Sequence, residues 1–369
     1  MKQRIYIIGA GAISHQHATA RKALPRETEL YVADPNPQAR EKFLESFPDA
    51  ILFETSDAML AHAPATEHDI VVVATPPRFH CPETLKALQS GRNVVCEKPF
   101  AMNLEEARQM VETAKAAGLH VSCCSNRFLG WSANTKMREL IEDGAIGEPY
   151  LVDFQHRSPC SRTGVEYQNG SWWFLDNSMN GGGPLFDWGP YDLAVLLDIF
   201  QPVQVTVADA VVRHIDVRHG IPDDVVFDIE THTAATVRFV MEDGKAVTIR
   251  YERGCCLHGE AYEIEGVYGT GGYLAWDWIP FGDQLHVRLK KTMGPDEADE
   301  TAYPAVDYPE GDGWAEAPLR EFDRYLRGDA SARVIVNEKA LQSFQLLGSI
   351  YEVSETGQPV TLQLTSNGK

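Results

Sequence analysis

The chain has 369 residues, of which 44% are hydrophobic and 23% are charged, enough for two globular domains with separate cores. Its formal net charge is −20, from 33 Lys and Arg residues against 53 Asp and Glu residues, and the sequence contains no basic stripe. A nucleic-acid partner needs such a stripe, and a membrane span needs about 18 consecutive apolar residues, so we expect neither partner.

The N-terminal segment and the cysteines predict a cytoplasmic protein. Residues 1–8 run directly into a short apolar strand, without the longer hydrophobic region and cleavage site of a signal peptide. The seven cysteines include two adjacent pairs, Cys123-Cys124 and Cys255-Cys256, which lack the Cys-x-x-Cys spacing of a zinc or redox site. We therefore expect reduced thiols, a cytoplasmic location and no metal site.

The first 124 residues alternate short apolar runs with segments of helical composition or period. The predicted strands are Ile5–Ile8, Glu29–Ala33, Ile51–Phe53, Ile70–Ala74, Asn93–Cys96 and His120–Cys123. The predicted helices are Ile13–Leu24, Pro37–Phe47, Ser56–His62, Cys81–Ser90 and Leu104–Ala117. Apolar strands that alternate with helices form right-handed βαβ units and a parallel sheet. We therefore predict a doubly wound Rossmann domain over residues 1–124.

Residues 125–369 contain longer strand-like stretches and fewer helices. The predicted strands are Tyr150–His156, Gln204–Arg213, Thr231–Met241, Ala246–Arg250 and Tyr262–Tyr268. One helix is predicted to end at Gly144, and the others are Pro190–Phe200, Ala317–Arg327 and Glu338–Thr356, the last packing back on the first domain. The Gly/Pro-rich segment Gly294–Gly313 is predicted to be a surface loop. This pattern favours an α+β domain with a large, open, mostly antiparallel sheet.

Glycines between the first strand and the first helix predict a phosphate-binding turn. Gly9 permits a tight turn, and Gly11 allows the backbone to approach a pyrophosphate near the N–H groups of Ala12 and Ile13. Ser14 takes the place of the usual third glycine and is still small enough for close helix–strand packing. A lone Gly-x-Gly also occurs in ordinary strand–helix turns, but this one opens a βαβ unit.

Asp34, at the end of the second predicted strand, lies 23 residues after Gly11. An acid at this place holds the adenosine ribose hydroxyls in dinucleotide-binding domains and repels a 2′-phosphate. We therefore predict NAD as the cofactor. Because Arg40 lies on the following predicted helix, NADP remains an alternative cofactor.

Three further segments narrow the prediction to one family. They are Ala74-Thr75-Pro76-Pro77-Arg78-Phe79-His80, Cys96-Glu97-Lys98-Pro99-Phe100 and Gly181-Gly182-Gly183-Pro184-Leu185-Phe186-Asp187-Trp188-Gly189-Pro190-Tyr191. Their order and spacing resemble the glucose–fructose oxidoreductase / inositol dehydrogenase / rhizopine-catabolism (Gfo/Idh/MocA) family over nearly the whole chain. The resemblance implies an NAD(P)-dependent dehydrogenase or reductase acting on a CH–OH or carbonyl group of a sugar, a polyol or a sugar derivative. Further cofactor contacts are then expected from Thr75, Pro76, His80, Glu97 and Lys98.

The resemblance also places Lys98 beside the nicotinamide and the reacting oxygen, and supports a cis peptide before Pro99. Asp187 and Tyr191 occupy positions that usually carry Asp and His, four residues apart on one helical face. Oxidation of an alcohol needs a proton acceptor, and the ammonium of Lys98 would favour the phenolate of Tyr191. We predict that these three side chains, Lys98, Tyr191 and Asp187, carry the proton transfer. Alternatively, Lys98 alone transfers the proton, Tyr191 is a core aromatic, and Asp187 is an N-cap of the helix beginning near Pro190.

Four residues are candidates for substrate contacts. Arg127 follows the last predicted Rossmann strand and would point across the cleft, and His156 lies on the first strand of the second domain. Trp173 offers a stacking face for a sugar ring, and Asp176 could accept hydrogen bonds from sugar hydroxyls. A sheet-face histidine and a packing role for the aromatic run around Trp173 are the competing interpretations.

Two other functions remain compatible with these motifs. One is a glycosidase that uses tightly held NAD for transient oxidation, and the other is a catalytically silent sugar-sensing regulator. The intact Glu-Lys-Pro segment argues against the sensor, because Lys98 would have no obvious use there. A broad open sheet in the second domain would need covering, so we expect a homodimer or homotetramer.

Overall fold

The computed structural model describes residues 2–159, 170–218, 220–278, 286–291, 300–304 and 315–365. These residues form two compact units. The first comprises the described residues of Met1–Arg127 and Pro309–Phe344, and the second those of Phe128–Tyr308 and Gln345–Lys369. No helix of the described residues is long and apolar enough to cross a membrane.

The first unit contains a six-stranded parallel sheet, which confirms the predicted Rossmann fold. Its strands are β1 (Gln3–Ile8), β2 (Thr28–Ala33), β3 (Ile51–Phe53), β4 (Ile70–Val73), β5 (Asn93–Cys96) and β6 (Val121–Cys123), in the order β3-β2-β1-β4-β5-β6. The helices are α1 (Ala12–Ala20), α2 (Pro37–Ser46), α3 (Ser56–Ala61), α4 (His80–Gln89) and α5 (Leu104–Ala116). All of these elements lie within a few residues of their predicted bounds. The strand order reverses between β1 and β4, the place where open α/β sheets bind ligands.

The core of the first unit also includes a late segment of the chain. Apolar residues of β1, β2 and β4 are fully buried because the sheet is covered on both faces. Helix α9 (Ala317–Leu326) contributes Leu319 and Phe322 to the same core cluster. The apolar face of the amphipathic helix α9 is therefore buried in the core of the first unit.

The second unit contains a nine-stranded, largely antiparallel sheet, as predicted. Its strands are β7 (Pro149–Ser158), β8 (Gln204–Arg213), β9 (His232–Val240), β10 (Ala246–Cys255), β11 (Tyr262–Gly269), β12 (Gly272–Trp276), β13 (His286–Lys290), β14 (Glu300–Pro304) and β15 (Val360–Gln363). The order is β14-β13-β12-β11-β7-β10-β9-β8-β15, and the β7–β10 pair is parallel. Strands β12, β13, β14 and β15 were not predicted. β14 lies inside the segment Gly294–Gly313, so the loop prediction was wrong for residues 300–304, and the rest of that segment lies outside the described residues.

Helices of the second unit include α6 (Ser132–Glu142), the short α7 (Asn177–Asn180) and α8 (Pro184–Phe200), and α10 (Glu338–Thr356) crosses from the first unit into the second. The predicted start of α8 at Pro190 was wrong by six residues. Proline is favoured in the first turn of a helix because its missing N–H has no partner there. Pro184 satisfies this preference, and Pro190 lies inside the helix.

Candidate active site

The turn between β1 and α1 fits the pyrophosphate of a dinucleotide. Gly9 has a φ of +101°, and a Cβ at this position would lie 2.6 Å from the carbonyl oxygen of Ala74. Gly11 precedes α1, and a Cβ there would meet nothing within 4 Å. No side chain caps the helix, so the N–H groups of Ala12 and Ile13 begin α1 beside open space. Such a helix start binds anions through its backbone donors.

Asp34, directly after β2, has its carboxylate fixed by the backbone. Oδ2 accepts from the N–H of Ala10 at 2.8 Å, and Oδ1 accepts from the N–H of Asn36 at 2.8 Å. Each carboxylate oxygen has a second lone pair, so both can still accept from ribose hydroxyls. Arg40 donates to the carbonyl oxygen of Asp34 at 2.5 Å and lies 3.7 Å from the carboxylate of Glu54. These oxygens engage its guanidinium.

The loop after β5 carries Lys98, and the peptide between Lys98 and Pro99 is cis, as predicted. Glu97 is buried, and its Oε2 accepts from the backbone N–H of Lys98 at 3.1 Å. Its Oε1 lies 2.7 Å from Nε2 of His17 on α1 and accepts a short hydrogen bond from Nη2 of Arg127. Glu97 therefore connects the Lys98 loop to the helix of the phosphate-binding turn.

Opposing effects act on the carboxyl group of Glu97. Burial alone would favour the protonated form, but the guanidinium of Arg127 and the hydrogen bond with His17 outweigh it. The pKa of Glu97 is consequently held well below its usual range. The group is an ionised anchor for the backbone of Lys98.

His80 joins the loops that follow β4 and β5. Its Nδ1 lies 2.7 Å from the carbonyl oxygen of Pro99, and its Nε2 lies 2.9 Å from the carbonyl oxygen of Thr75. Burial lowers the pKa of the imidazole. In the described residues, Oγ1 of Thr75 is buried without a hydrogen-bond partner. Pro76 precedes a single 3-10 turn, and direct cofactor contacts by these residues remain predictions.

In the second unit, Glu230 positions the start of α8. Its Oε2 accepts from the N–H of Gly183 at 2.5 Å, and its Oε1 accepts from the N–H of Leu185 at 3.1 Å. Helix N-termini leave four N–H groups without intrahelical partners, and Glu230 binds the first of them. Burial raises the pKa of Glu230 to about 7 despite these hydrogen bonds. Sequence reasoning missed this residue, because 45 positions separate it from Leu185.

Asp187 and Tyr191 both lie on α8, one helical turn apart, and both are buried. The backbone N–H of Asp187 already donates to the carbonyl oxygen of Gly183 within the helix. The N-cap interpretation of Asp187 was therefore wrong. The ring of Tyr191 packs edge-on against Phe128 at 4.7 Å and Trp188 at 6.0 Å between centroids. Aromatic packing thus orients the phenol, whose catalytic role remains a prediction.

A buried ion pair beside Tyr191 was also missed by sequence reasoning. Asp192 accepts two hydrogen bonds from Arg253 on β10, both at 2.6 Å, and a third from the hydroxyl of Tyr251 at 2.8 Å. The guanidinium of Arg253 lies 5.5 Å from the ring centroids of both Trp188 and Trp278. The ion pair fixes the middle of α8 to the sheet. The two tryptophan rings lie within cation–π distance of the guanidinium of Arg253.

The predicted substrate residues occupy different environments. Arg127 is buried and donates to Glu97. Trp173 stacks on Phe174 at 3.9 Å and packs against a hydrophobic cluster, while Asp176 is the N-cap of α7. His156 is part-exposed on β7 and lies 3.5 Å from the carboxylate of Glu263. The first three have structural contacts that account for them, and substrate binding by any of the four stays a prediction.

Two family models match the chain. Residues 3–124 match the model described as the oxidoreductase family with an NAD-binding Rossmann fold, and residues 134–274 match the GFO/IDH/MocA C-terminal domain. Together the two matches cover more than half of the chain and lie in the order that the sequence motifs predicted.

Relatives with full-length similarity include a curated enzyme and solved structures. D-glucoside 3-dehydrogenase of Escherichia coli (strain K12) is 25% identical over 387 residues, covering 97% of both proteins. Aldose-aldose oxidoreductase from Caulobacter crescentus, solved with glycerol, has a TM-score of 0.73 at 21% identity, covering 98% of this chain and 100% of that one. Levoglucosan dehydrogenase in complex with NADH has a TM-score of 0.75 at 18% identity, covering 99% and 100%. The two structural matches show a shared fold.

Proposed function

Because the chain belongs to the Gfo/Idh/MocA family of NAD-binding oxidoreductases, we propose that it oxidises a CH–OH group of a sugar, a polyol or a sugar derivative, or reduces the corresponding carbonyl. Its class as an NAD(P)-dependent dehydrogenase or reductase follows from the family. The name of the E. coli relative, a dehydrogenase of D-glucosides, supports the carbohydrate substrate.

The observation that carries the proposal is the anchoring of the Lys98 loop. Glu97 binds the backbone N–H of Lys98 and, through His17, the helix of the phosphate-binding turn. His80 binds the loop from its other side through Pro99. Anchoring of this loop at the carboxyl edge of a dinucleotide-binding sheet supports the proposal that Lys98 acts beside the nicotinamide.

NAD supplies a hydride acceptor when it is bound. We propose that Tyr191 takes the hydroxyl proton during oxidation and returns it during reduction. Lys98 would lower the pKa of the phenol and stabilise negative charge on the reacting oxygen. Asp187, one helical turn from Tyr191, would orient the lysine or a substrate hydroxyl.

A substrate panel tests this function. The purified protein is incubated with alkyl glucosides, free aldoses and cyclic polyols, each with NAD or NADP, and reduced nicotinamide is followed by absorbance. We expect turnover with at least one carbohydrate class and a preference for NAD. Cleavage of a glycoside without net NAD reduction would favour the NAD-dependent glycosidase. Ligand binding without any turnover would favour the sugar sensor.

We also propose that the chain forms a homodimer or homotetramer through the second unit. The open sheet carries partly exposed aromatic residues, including Tyr150 and Tyr262, and a sheet face of this size is commonly covered by a partner. Light scattering after gel filtration gives the oligomeric state. A monomer at micromolar concentration would contradict the proposal.

Cytoplasmic location remains part of the same proposal. Among the described cysteines, Cys81, Cys96, Cys123 and Cys124 are buried free thiols, which suits a reducing compartment. Cys160 lies outside the described residues. Fractionation of cells that express the tagged chain would test the location.

A further inference from the structure

Three ligand-type side chains meet on one face of the second sheet. His156 lies on β7, and Glu263 and Glu265 lie on the neighbouring strand β11. In the strand register, His156 pairs with Glu263, and Glu265 lies two residues farther along β11 on the same face. These three residues are called the His156 cluster below.

The spacing of the His156 cluster suits a metal ion. One donor atom from each residue lies within 4.8 Å of the others. Nδ1 of His156 is 3.5 Å from Oε1 of Glu263, close to the ~3.4 Å that separates two ligands on a tetrahedral ion with bonds of about 2.1 Å.

A second observation points to a missing positive ligand. Glu265 is only 9% exposed, and its Oε1 is buried without a hydrogen-bond partner. Buried carboxylates are normally paired, hydrogen-bonded or bound to a metal, because an unpaired buried charge is costly.

Arg253 lies near Glu265, but its hydrogen bonds to a carboxylate go elsewhere. Arg253 pairs with His156 across β7 and β10, but both of its carboxylate bonds go to Asp192. The side chain of Glu263 is 62% exposed, so solvent reaches the cluster from its side. A hydrated ion therefore has an entry path and open coordination positions for water or a ligand hydroxyl.

We propose that His156, Glu263 and Glu265 form a binding site for one divalent transition-metal cation, of the zinc or manganese class. One imidazole and two carboxylates are a mixed nitrogen and oxygen donor set, which suits these ions better than calcium or magnesium. The cysteine spacing that predicts many zinc sites is absent, and 107 positions separate His156 from Glu263, so no sequence motif marks the cluster.

Zinc binding by the full-length protein tests the site. After removal of metal with a chelator, the protein is dialysed against dilute ZnCl2 at about pH 8 and in salt that screens non-specific attraction to its acidic surface. We expect about one zinc per chain by elemental analysis and a zinc-dependent rise in melting temperature. His156→Gln and Glu265→Gln should each weaken binding by about 100-fold or more.

A matched control is the pair of His232 and Glu252 on β9 and β10. Nε2 of His232 lies 2.8 Å from Oε1 of Glu252, and the described residues place no third ligand of the same kind beside them. His232→Gln should leave zinc binding unchanged. Glu265→Gln replaces the buried carboxyl group by a neutral amide, so it should abolish the rise in melting temperature caused by zinc.

Three results would overturn the proposal. The first is less than about 0.1 zinc per chain after dialysis. The second is an equal loss of zinc on His232→Gln and Glu265→Gln. The third is a stoichiometry that collapses with salt in every variant, which would indicate only general attraction to a chain of net charge −20.

Discussion

Glu97 in the first unit and Glu230 in the second are both buried carboxyl groups that bind backbone N–H groups next to candidate catalytic residues. Glu97 binds the N–H of Lys98, and Glu230 binds the N–H groups that begin the helix of Asp187 and Tyr191. Their pKa values nevertheless move in opposite directions. The pKa of Glu97 is lowered, whereas that of Glu230 is raised to about 7.

The difference lies in the charge of their partners. Burial penalises both carboxylates, but Glu97 has the guanidinium of Arg127 beside it. Glu230 is held by neutral donors, the backbone N–H groups of Gly183 and Leu185, and these reduce the effect of burial without reversing it. Glu97 and Glu230 both accept hydrogen bonds from backbone N–H groups, but they have different protonation states near neutral pH.

Replacement of Lys98 should lower kcat more than replacement of Tyr191. Lys98→Met would remove the charge that we propose for stabilising the reacting oxygen, whereas Tyr191→Phe removes only one hydroxyl. We expect kcat to fall by about 10³–10⁴-fold for Lys98→Met and about 10²-fold for Tyr191→Phe, within the range of positioned acid–base groups. Initial rates on the substrate from the panel give kcat, and NAD titration confirms that cofactor binding is intact. An unchanged kcat and pH profile for Tyr191→Phe would make Tyr191 structural.

Replacing Glu97 should destabilise the first unit. Glu97→Gln removes the anion that pairs with the buried guanidinium of Arg127, and loss of one partner of a buried ion pair costs about 3–5 kcal/mol. Chemical denaturation followed by circular dichroism measures the free energy of unfolding. Glu230→Gln is the matched control, since it removes a carboxylate with no cationic partner. If both variants lose the same stability at neutral pH, the charge of Arg127 is not the deciding difference.

The pH dependence of the free energy of unfolding should reflect the raised pKa of Glu230. Its folded pKa, about 7, lies above its usual value of 4.5, so between these values the folded chain holds more protons than the unfolded chain. Stability contributed by this group is therefore lost as pH rises from about 4.5 to about 7, by up to about 3 kcal/mol. Glu230→Gln should remove this decline. Denaturation series at several pH values test it, and parallel profiles for the two proteins would contradict the raised pKa.

Asp34, unlike Glu97 and Glu230, is a half-buried carboxylate, and its replacement should affect cofactor binding. Its oxygens bind the N–H groups of Ala10 and Asn36 and would accept from the ribose of NAD. Asp34→Ala should weaken NAD binding by about ten-fold, the equivalent of one hydrogen bond to a charged group, and relax discrimination against NADP. Fluorescence titration with both cofactors measures this change. Tighter binding of NADP than NAD by the unaltered protein would refute the role of Asp34.

Local sequence determined most of the first unit. The strands β3 and β5 have their predicted bounds, and Gly9, Asp34 and Lys98 lie in the predicted connections. Apolar runs that alternate with helical segments specify a parallel sheet, and this information lies within about ten residues of each element. In the second unit, β12 escaped prediction because a five-residue strand with glycine and aromatic residues has weak periodicity. β13 was missed although its buried Val287 and Leu289 alternate with polar residues.

Only the tertiary structure decided how the candidate catalytic residues are held. His17 and Glu97 are 80 positions apart, Asp192 and Arg253 are 61 apart, and Glu230 reaches the start of α8 from a separate segment. A buried carboxylate is stabilised by whichever charges and dipoles the fold brings near it, and periodicity along the chain carries no record of these neighbours. The residue types of the site are therefore readable in the sequence, while their protonation and orientation depend on distant segments that meet only after folding.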